Sequence, residues 1–232
     1  MGKVVAIIVA AGSGKRFGGR KQHSLLNGES ILERTLGAFQ AHPEIEEILP
    51  VLEDPEAWRV KAARFSKISG LVKGGRERQD SVAAGFLSIR DLNIEGLNDP
   101  AQSGHDIILV HDGARPLVDG RLISRVIEGT RMYGAVCPGI PVEDTIKKVR
   151  EGRILHTEDR TCLVRIQTPQ GFRAGILKKA LDRFSEDGFY GTDEASLVER
   201  LGLPVHIVAG DRRNIKITTQ IDLKIAEALL ED

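Results

Sequence analysis

The run Val4-Val-Ala-Ile-Ile-Val-Ala-Ala11 constrains this chain more than any other stretch of it. Its residues are apolar, mostly β-branched, and show no alternation with polar ones. That pattern describes a strand buried on both faces, the kind found inside parallel sheets with helices on either side. The run is far shorter than the ~20 residues a membrane span requires. No small-residue cleavage site of the secretory type follows it, so neither a membrane nor a secretory segment is expected.

Apolar runs alternate with helical periodicity down the rest of the chain. Ser30 and Glu33 have the spacing of a capping box, followed by Leu32, Leu36 and Phe39 on one helical face. Ile45 to Val51 reads as a second strand, and Asp54-Pro55 as a helix start. Val82, Phe86 and Ile89 keep helical spacing. Ile107 to Val110 is another buried strand, and Leu122, Val126 and Ile127 mark the helix after it. Asp91 to His105 reads as a surface loop. Leu163 to Gln167 and Val205 to Ala209 are further strands, with a helix over Ile176 to Phe184 between them. The chain ends in a helix capped near Thr219 and Asp222. This alternation predicts right-handed βαβ units, an α/β architecture and a mostly parallel sheet flanked by helices.

One segment breaks the rule. Thr145 to Val149 and Ile154 to Thr157 are short, mixed-polar strands around Glu151-Gly152, which predicts a projecting β-hairpin. A hairpin so charged cannot bury itself in the core sheet, so it is expected to pack on another chain. The expectation is one domain over residues 1–232, with a β-arm at 141–162 that serves dimerisation.

Composition removes several function classes. Lys plus Arg number 33 and so do Asp plus Glu, giving no net charge with which to bind a nucleic-acid backbone. Cys137 and Cys162 are the only cysteines and form no metal-ligand or disulfide pattern; a reduced, cytoplasmic setting is the default. The six His show no metal spacing, and Trp58 with Phe65 reads as core. The 25 glycines exceed the usual ~7% share, so their placement matters.

In an open α/β sheet, ligands bind beyond the carboxyl ends of strands. After the first strand comes Ala10-Ala-Gly-Ser-Gly-Lys-Arg16-Phe-Gly-Gly-Arg-Lys21. Its glycines allow backbone N–H groups to turn toward an anion, and its cations add charge. It is neither a dinucleotide fingerprint, which fails at Phe17, nor a P-loop, because Gly19-Arg20-Lys21 is not Gly-Lys-Ser/Thr.

Ala10-Ala-Gly-x-Gly-x-Arg16 with Lys21-Gln22 resembles the signature loop of sugar-type nucleotidyltransferases. The segments that follow resemble one branch, the 2-C-methyl-D-erythritol 4-phosphate cytidylyltransferases. They are Gly74-Gly75 to Asp80-Ser81-Val82, His111-Asp112-Gly-Ala-Arg115-Pro116, Pro141-Val-Glu-Asp-Thr145 and Asp159-Arg160. Thr168-Pro-Gln170, Thr192-Asp-Glu-Ala-Ser196 and Asn214-Ile-Lys216 complete the ordered set. Two departures stand out: Arg20 occupies a position usually Pro in the family, and Gly113 one usually Ala.

The resemblance implies a Rossmann-like nucleotidyltransferase fold, a homodimer joined through the arm, and cytidylyl transfer from CTP to a polyol phosphate, releasing pyrophosphate. It implies Arg16, Lys21 and Lys216 as catalytic cations, and Ala11, Gly12, Gly14, Gly75, Ser81 and Asp112 as nucleotide-binding. Arg115, Thr145, Arg160, Thr168 and Thr192 would face the polyol phosphate, and Asp112 a Mg²⁺ ion. The chemistry suits these residue types. A phosphate nucleophile, with a second pKa of about 6, needs no general base, so catalysis reduces to positioning and charge stabilisation. Ser81 and Thr192 also fit helix-cap positions, and His111 supports Asp112. Two other readings remain open: transfer to ribitol 5-phosphate, and a nucleotide-binding homologue without turnover.

Overall fold

The computed structural model describes residues 2–12, 17, 24–93 and 106–231. The apolar run forms β1 (Val4–Ala10). A short hairpin, β2 (Leu25–Leu26) and β3 (Glu29–Ser30), leads into α1 (Ile31–Ala41). Next come β4 (Glu47–Leu52), α2 (Arg59–Ala62), β5 (Val72–Lys73), α3 (Arg78–Leu87), β6 (Ile107–Asp112) and α4 (Gly120–Tyr133). They are followed by β7 (Ala135–Pro141), β8 (Lys147–Arg150), β9 (Arg153–Thr157), β10 (Val164–Ile166) and β11 (Gln170–Arg173). The chain closes with α5 (Ala174–Asp187), α6 (Glu194–Arg200), β12 (His206–Ala209) and α7 (Gln220–Glu231).

The main sheet runs β10-β7-β11-β6-β1-β4-β5, with β12 also paired to β7. β1, β4, β5 and β6 are parallel neighbours, β12 runs parallel to β7, and β10 and β11 run against the strands they pair with. The fold is therefore the α/β, mostly parallel, Rossmann-like arrangement expected. Residue alternation explains why β1 is apolar throughout. Val4, Ala6 and Ile8 pack with Leu32, Leu36, Phe39 and Val126 of α1 and α4. Val5 and Ile7 pack on the opposite face with Val82, Phe86, Leu177 and Leu197 of α3, α5 and α6.

Local signals resolve as their chemistry dictates. The Ser30–Glu33 capping box forms, and Glu33, almost fully buried, also pairs with Lys61 at 3.1 Å and Arg64 at 3.3 Å. Asp54-Pro55 opens only a 3₁₀ turn and the four-residue α2. Beyond it the chain turns back, and the Lys67 carbonyl accepts from Ile48 N–H at 2.8 Å. The second strand begins at Glu47 rather than Ile45, whose side chain is nonetheless buried. Asp222 caps the last helix, accepting from Thr218 N–H at 2.8 Å and Thr219 N–H at 2.7 Å. Residues 94–105 of the expected surface loop lie outside the described residues.

The hairpin of β8 and β9 is exposed along its whole length. Its two-residue turn needs positive φ at both positions, and Glu151 (51°) and Gly152 (76°) supply it. Among the described residues, no helix is long and apolar enough to cross a membrane.

Candidate active site

Three strand ends converge where the sheet topology places a ligand. Val9 of β1 stands opposite Asp112 of β6, so Ala10 to Gly12 leaves the sheet beside the Asp112 carboxylate. β5 ends nearby in the Gly74–Gly75 turn, which is tied to the neighbouring strand by Gly74 N–H to Leu52 O at 2.8 Å. Between them lies a cavity of ≈ 390 Å³, lined by Ala11, Gly12, Gly75, Ser81, Asp112 and Lys216, with Arg76, Glu77, Arg78 and Gly113 among its other walls. Lys216 comes from the far end of the chain. Its segment is pinned beside β6 by Ile217 N–H to Ala114 O at 2.8 Å.

The Gly74–Gly75 turn is glycine for steric reasons. A Cβ on Gly75 would lie 2.2 Å from Asp80 Cβ, and one on Gly74 2.2 Å from Ala11 Cβ. Ser81 is not the cap of α3. Its hydroxyl donates to Glu77 O at 3.1 Å and accepts from Gly75 N–H at 3.1 Å, so it fixes the turn from beneath. The helix start is closed instead by Asp80, which accepts from Glu77 N–H at 2.9 Å.

Asp112 is the electrostatic centre. Its side chain is 7% exposed and meets three cations: Lys216 Nζ at 2.8 Å, Arg115 Nε at 3.5 Å, and Arg78 Nη1. Burial opposes its charge, but the three cations together overcome that cost and hold its carboxyl far below the ordinary value. Arg78 spans two carboxylates, reaching Glu194 Oε2 with Nη2 at 2.9 Å. Burial works against its guanidinium as well, and Asp112 and Glu194 more than compensate, raising its pKa. Glu194 is fully buried, and desolvation outweighs Arg78 enough to leave its carboxyl above the usual range.

Beneath this cluster a short relay sets the backbone. Asp112 N–H donates to Thr168 Oγ1 at 3.0 Å, which lies 3.0 Å from His111 Nδ1. His111 Nε2 lies 3.3 Å from Arg115 O. A carbonyl only accepts, so Nε2 carries the proton and the Thr168 hydroxyl donates to Nδ1. Complete burial pushes the His111 pKa down to about 3, consistent with a neutral ring.

The sequence-derived residues thus fall into groups. Ala11, Gly12, Gly75, Ser81, Asp112 and Lys216 meet at the cavity. Arg115 sits just behind, donating to Asn214 O at 2.8 Å. Thr168 turns inward to the relay and is 5% exposed. Thr192 stands exposed before α6, and the cap there is Asp193, which accepts from Ser196 N–H at 3.0 Å. Thr145 and Arg160 lie at the exposed root of the arm, where Arg160 donates to Glu143 O at 2.6 Å. Gly14, Arg16 and Lys21 lie outside the described residues. Sequence reasoning passed over Arg78; the signal was a cation opening the helix three residues beyond Gly75.

A chain whose cavity is built from a glycine turn, a buried aspartate and Lys216 has relatives with matching sequence and fold. The family model for 2-C-methyl-D-erythritol 4-phosphate cytidylyltransferase matches residues 4–232. The enzyme of that name from Syntrophus aciditrophicus (strain SB) is 42% identical, over 99% of this chain and 96% of that protein. The crystal structure of 2-C-methyl-D-erythritol 4-phosphate cytidylyltransferase from Thermus thermophilus superposes with a TM-score of 0.78 at 32% identity, covering 100% of both chains. That of 4-diphosphocytidyl-2C-methyl-D-erythritol synthase from Anaerococcus prevotii DSM 20548 gives 0.83 at 30% identity, over 100% of this chain and 99% of that one. Sequence and fold agree from one end to the other, and the chain belongs to the 2-C-methyl-D-erythritol 4-phosphate cytidylyltransferase family.

Proposed function

We propose that this protein transfers the cytidylyl group of CTP to 2-C-methyl-D-erythritol 4-phosphate, releasing pyrophosphate and the CDP-linked methylerythritol, a step of non-mevalonate isoprenoid precursor synthesis. The observation that carries the reading is the cation cluster of Lys216, Arg78 and Arg115 around Asp112, beside the Gly75 turn, in a cavity of ≈ 390 Å³. Two anions must meet there. The substrate phosphate is already the nucleophile, so the protein needs no general base; it must screen repulsion and stabilise charge on the α-phosphate and the leaving pyrophosphate. Lys216 is 37% exposed on its side chain and, among the described residues, is held by Asp112 Oδ2, a grip that leaves its other N–H donors for a phosphate. Arg16 and Lys21 supply the remaining catalytic charge in this reading. The backbone of Ala11, Gly12, Gly14 and Gly75 holds the nucleotide, with Ser81 fixing the cytosine-reading turn.

The donor set suits Mg²⁺ brought in on the triphosphate. Asp112 is the carboxylate facing the cavity; Arg78 engages its Oδ1 and Lys216 its Oδ2, so a remaining lone pair of that carboxylate would hold the ion while phosphates provide the other ligands. Bound there, it neutralises phosphate charge.

The chain is read as one domain, 1–232, with the arm at 141–162 pairing two copies of a cytoplasmic homodimer. Ile146, Val149, Ile154 and Leu155 support this, since they stand 36–64% exposed on a hairpin with no core of its own. Arg160 and Thr145 at its root then grip the polyol phosphate in the neighbouring site, with Arg115 and Thr192 contributing and Thr168 acting through the backbone of Asp112.

Incubation with CTP, Mg²⁺ and either 2-C-methyl-D-erythritol 4-phosphate or ribitol 5-phosphate tests the reading. Pyrophosphate and a CDP-linked product from the first, well above the second, is expected. Equal turnover of both, or of neither, refutes the assignment.

A further inference from the structure

Arg78 has so far been counted only as one charge of the cluster, yet it bridges more of the site than either neighbouring cation. Its two terminal nitrogens each sit on a carboxylate: Nη1 on Asp112 Oδ1, and Nη2 on Glu194 Oε2 at 2.9 Å. The two oxygens of Asp112 are divided. Lys216 and Arg115 lie on Oδ2, while Oδ1 belongs, among the described residues, to Arg78. The rotation of that carboxylate, and so the direction in which it presents Lys216, is set from the Oδ1 side.

Glu194 explains why the grip is rigid. It is fully buried at the start of α6, and its second oxygen, Oε1, has no hydrogen-bond partner among the described residues. A carboxylate in that position costs stability unless a cation holds it, and the cation it holds is Arg78. A planar fork bridging two buried carboxylates has one orientation, which a lysine cannot reproduce. The bridge joins elements far apart in sequence: the first turn of α3, the end of β6 and the start of α6.

We infer that Arg78 is a positioning residue of the transfer reaction, locking the Asp112 carboxylate so that Lys216 is aimed at the reacting phosphates, with Glu194 as the fixed anchor of the lock. The inference rests on the proposed cytidylyl transfer. Arg78 lines the cavity, but each of its terminal nitrogens sits on a carboxylate, so the role assigned to it runs through Asp112.

The experiment compares R78K, R78Q, and the double variant R78Q/E194Q with the wild type, measuring kcat, KM for CTP and Tm. A positioning loss of about 1 Å costs on the order of 100-fold. R78K is therefore expected to fold and to lose roughly 10- to 100-fold in kcat, with KM for CTP within about threefold. R78Q strands a buried carboxylate and is expected to lose about 10 °C in Tm. Adding E194Q removes the stranded charge, so the double variant regains most of that Tm while kcat stays low. Recovery of kcat together with Tm overturns the proposal, because Arg78 would then only neutralise Glu194. Wild-type kcat in R78K overturns it too, as does a loss carried mainly by KM for CTP, which would make Arg78 a direct nucleotide contact. A wild-type protein without CTP-dependent turnover refutes the proposed function instead, and is recognised before any variant is made.

Discussion

Replacing Gly75 by alanine tests the geometry of the Gly74–Gly75 turn and its proposed hold on the nucleotide. An added Cβ would lie 2.2 Å from Asp80 Cβ and 3.2 Å from the Asp80 carbonyl carbon, where ordinary contact begins at 3.4 Å. About 1.2 Å must therefore be found. It cannot come from Asp80, which is in the first turn of α3, accepts from Glu77 N–H at 2.9 Å and receives the Tyr190 hydroxyl at 3.2 Å. The turn itself must retreat, and because Gly75 is exposed it retreats into solvent. Doing so stretches the 3.1 Å bond from Gly75 N–H to Ser81 past breaking, worth about 1 kcal/mol, with roughly 1–2 kcal/mol more for strain. The stability loss is modest, a Tm lower by about 4–10 °C. A displacement of about 1 Å at a substrate-positioning group is expected to lower kcat/KM for CTP on the order of 100-fold. Calorimetric titration with CTP and steady-state turnover measure it, with Gly70→Ala as the control; its new Cβ meets only Leu49 Cδ2 at 3.8 Å. A folded Gly75→Ala protein within about threefold of wild type in both CTP affinity and kcat/KM refutes the steric argument.

Lys216→Ala is expected to lower kcat by about 10²–10³, as for loss of one preorganised donor, while Tm moves by less than about 3 °C because the side chain is 37% exposed; a tenfold or smaller loss contradicts its catalytic role. Ser30→Ala breaks the capping box and is expected to cost about 1–2 kcal/mol by urea denaturation. Burial raises the Glu33 pKa, but the Ser30 hydroxyl and Lys61 outweigh it and leave the carboxyl below its usual 4.5. Its contribution is thus present above pH 4.5 and lost as pH falls through the lower native value, so the Ser30→Ala deficit is expected to shrink on acidification. His111 runs the other way from a paired histidine. Buried neutral with a pKa of about 3, it takes up its proton only on unfolding, so it costs stability as pH falls from 6.5 toward 3; His111→Asn is expected to flatten the Tm–pH curve in that window. Ile154→Lys on the arm is expected to yield monomers by analytical ultracentrifugation and to depress turnover, and a dimer of unchanged affinity rejects the arm as the pairing surface.

What the sequence disclosed was what neighbours along the chain decide. The unbroken apolar stretch of β1 declared a doubly covered strand, the Ser30/Glu33 spacing declared its own cap, and Gly152 announced a tight hairpin turn through its tolerance of positive φ. The order of cavity residues was legible too, because motif order survives folding. Interactions between distant segments were not. Nothing near Arg78 says that its partners lie 34 and 116 residues away, nor that the Thr168 hydroxyl meets His111. Thr192 and Asp193 both satisfy the helix-cap pattern, and only the backbone direction at Asp193 decides between them. The start of α2 was legible at Asp54-Pro55 but its shortness was not, because the chain that follows turns back to place the Lys67 carbonyl on Ile48 N–H, a contact between distant segments.

Lys216 arrives after the last strand of the main sheet, on a segment stitched to Ala114 by Ile217. During synthesis the entire sheet can therefore emerge and close its two hydrophobic layers while the site still lacks one of its charges. A copy clipped between Ala209 and Lys216 keeps every strand of the main sheet yet, on this reading, is unable to catalyse, so fragments remain silent instead of turning over nucleotide in a half-built form.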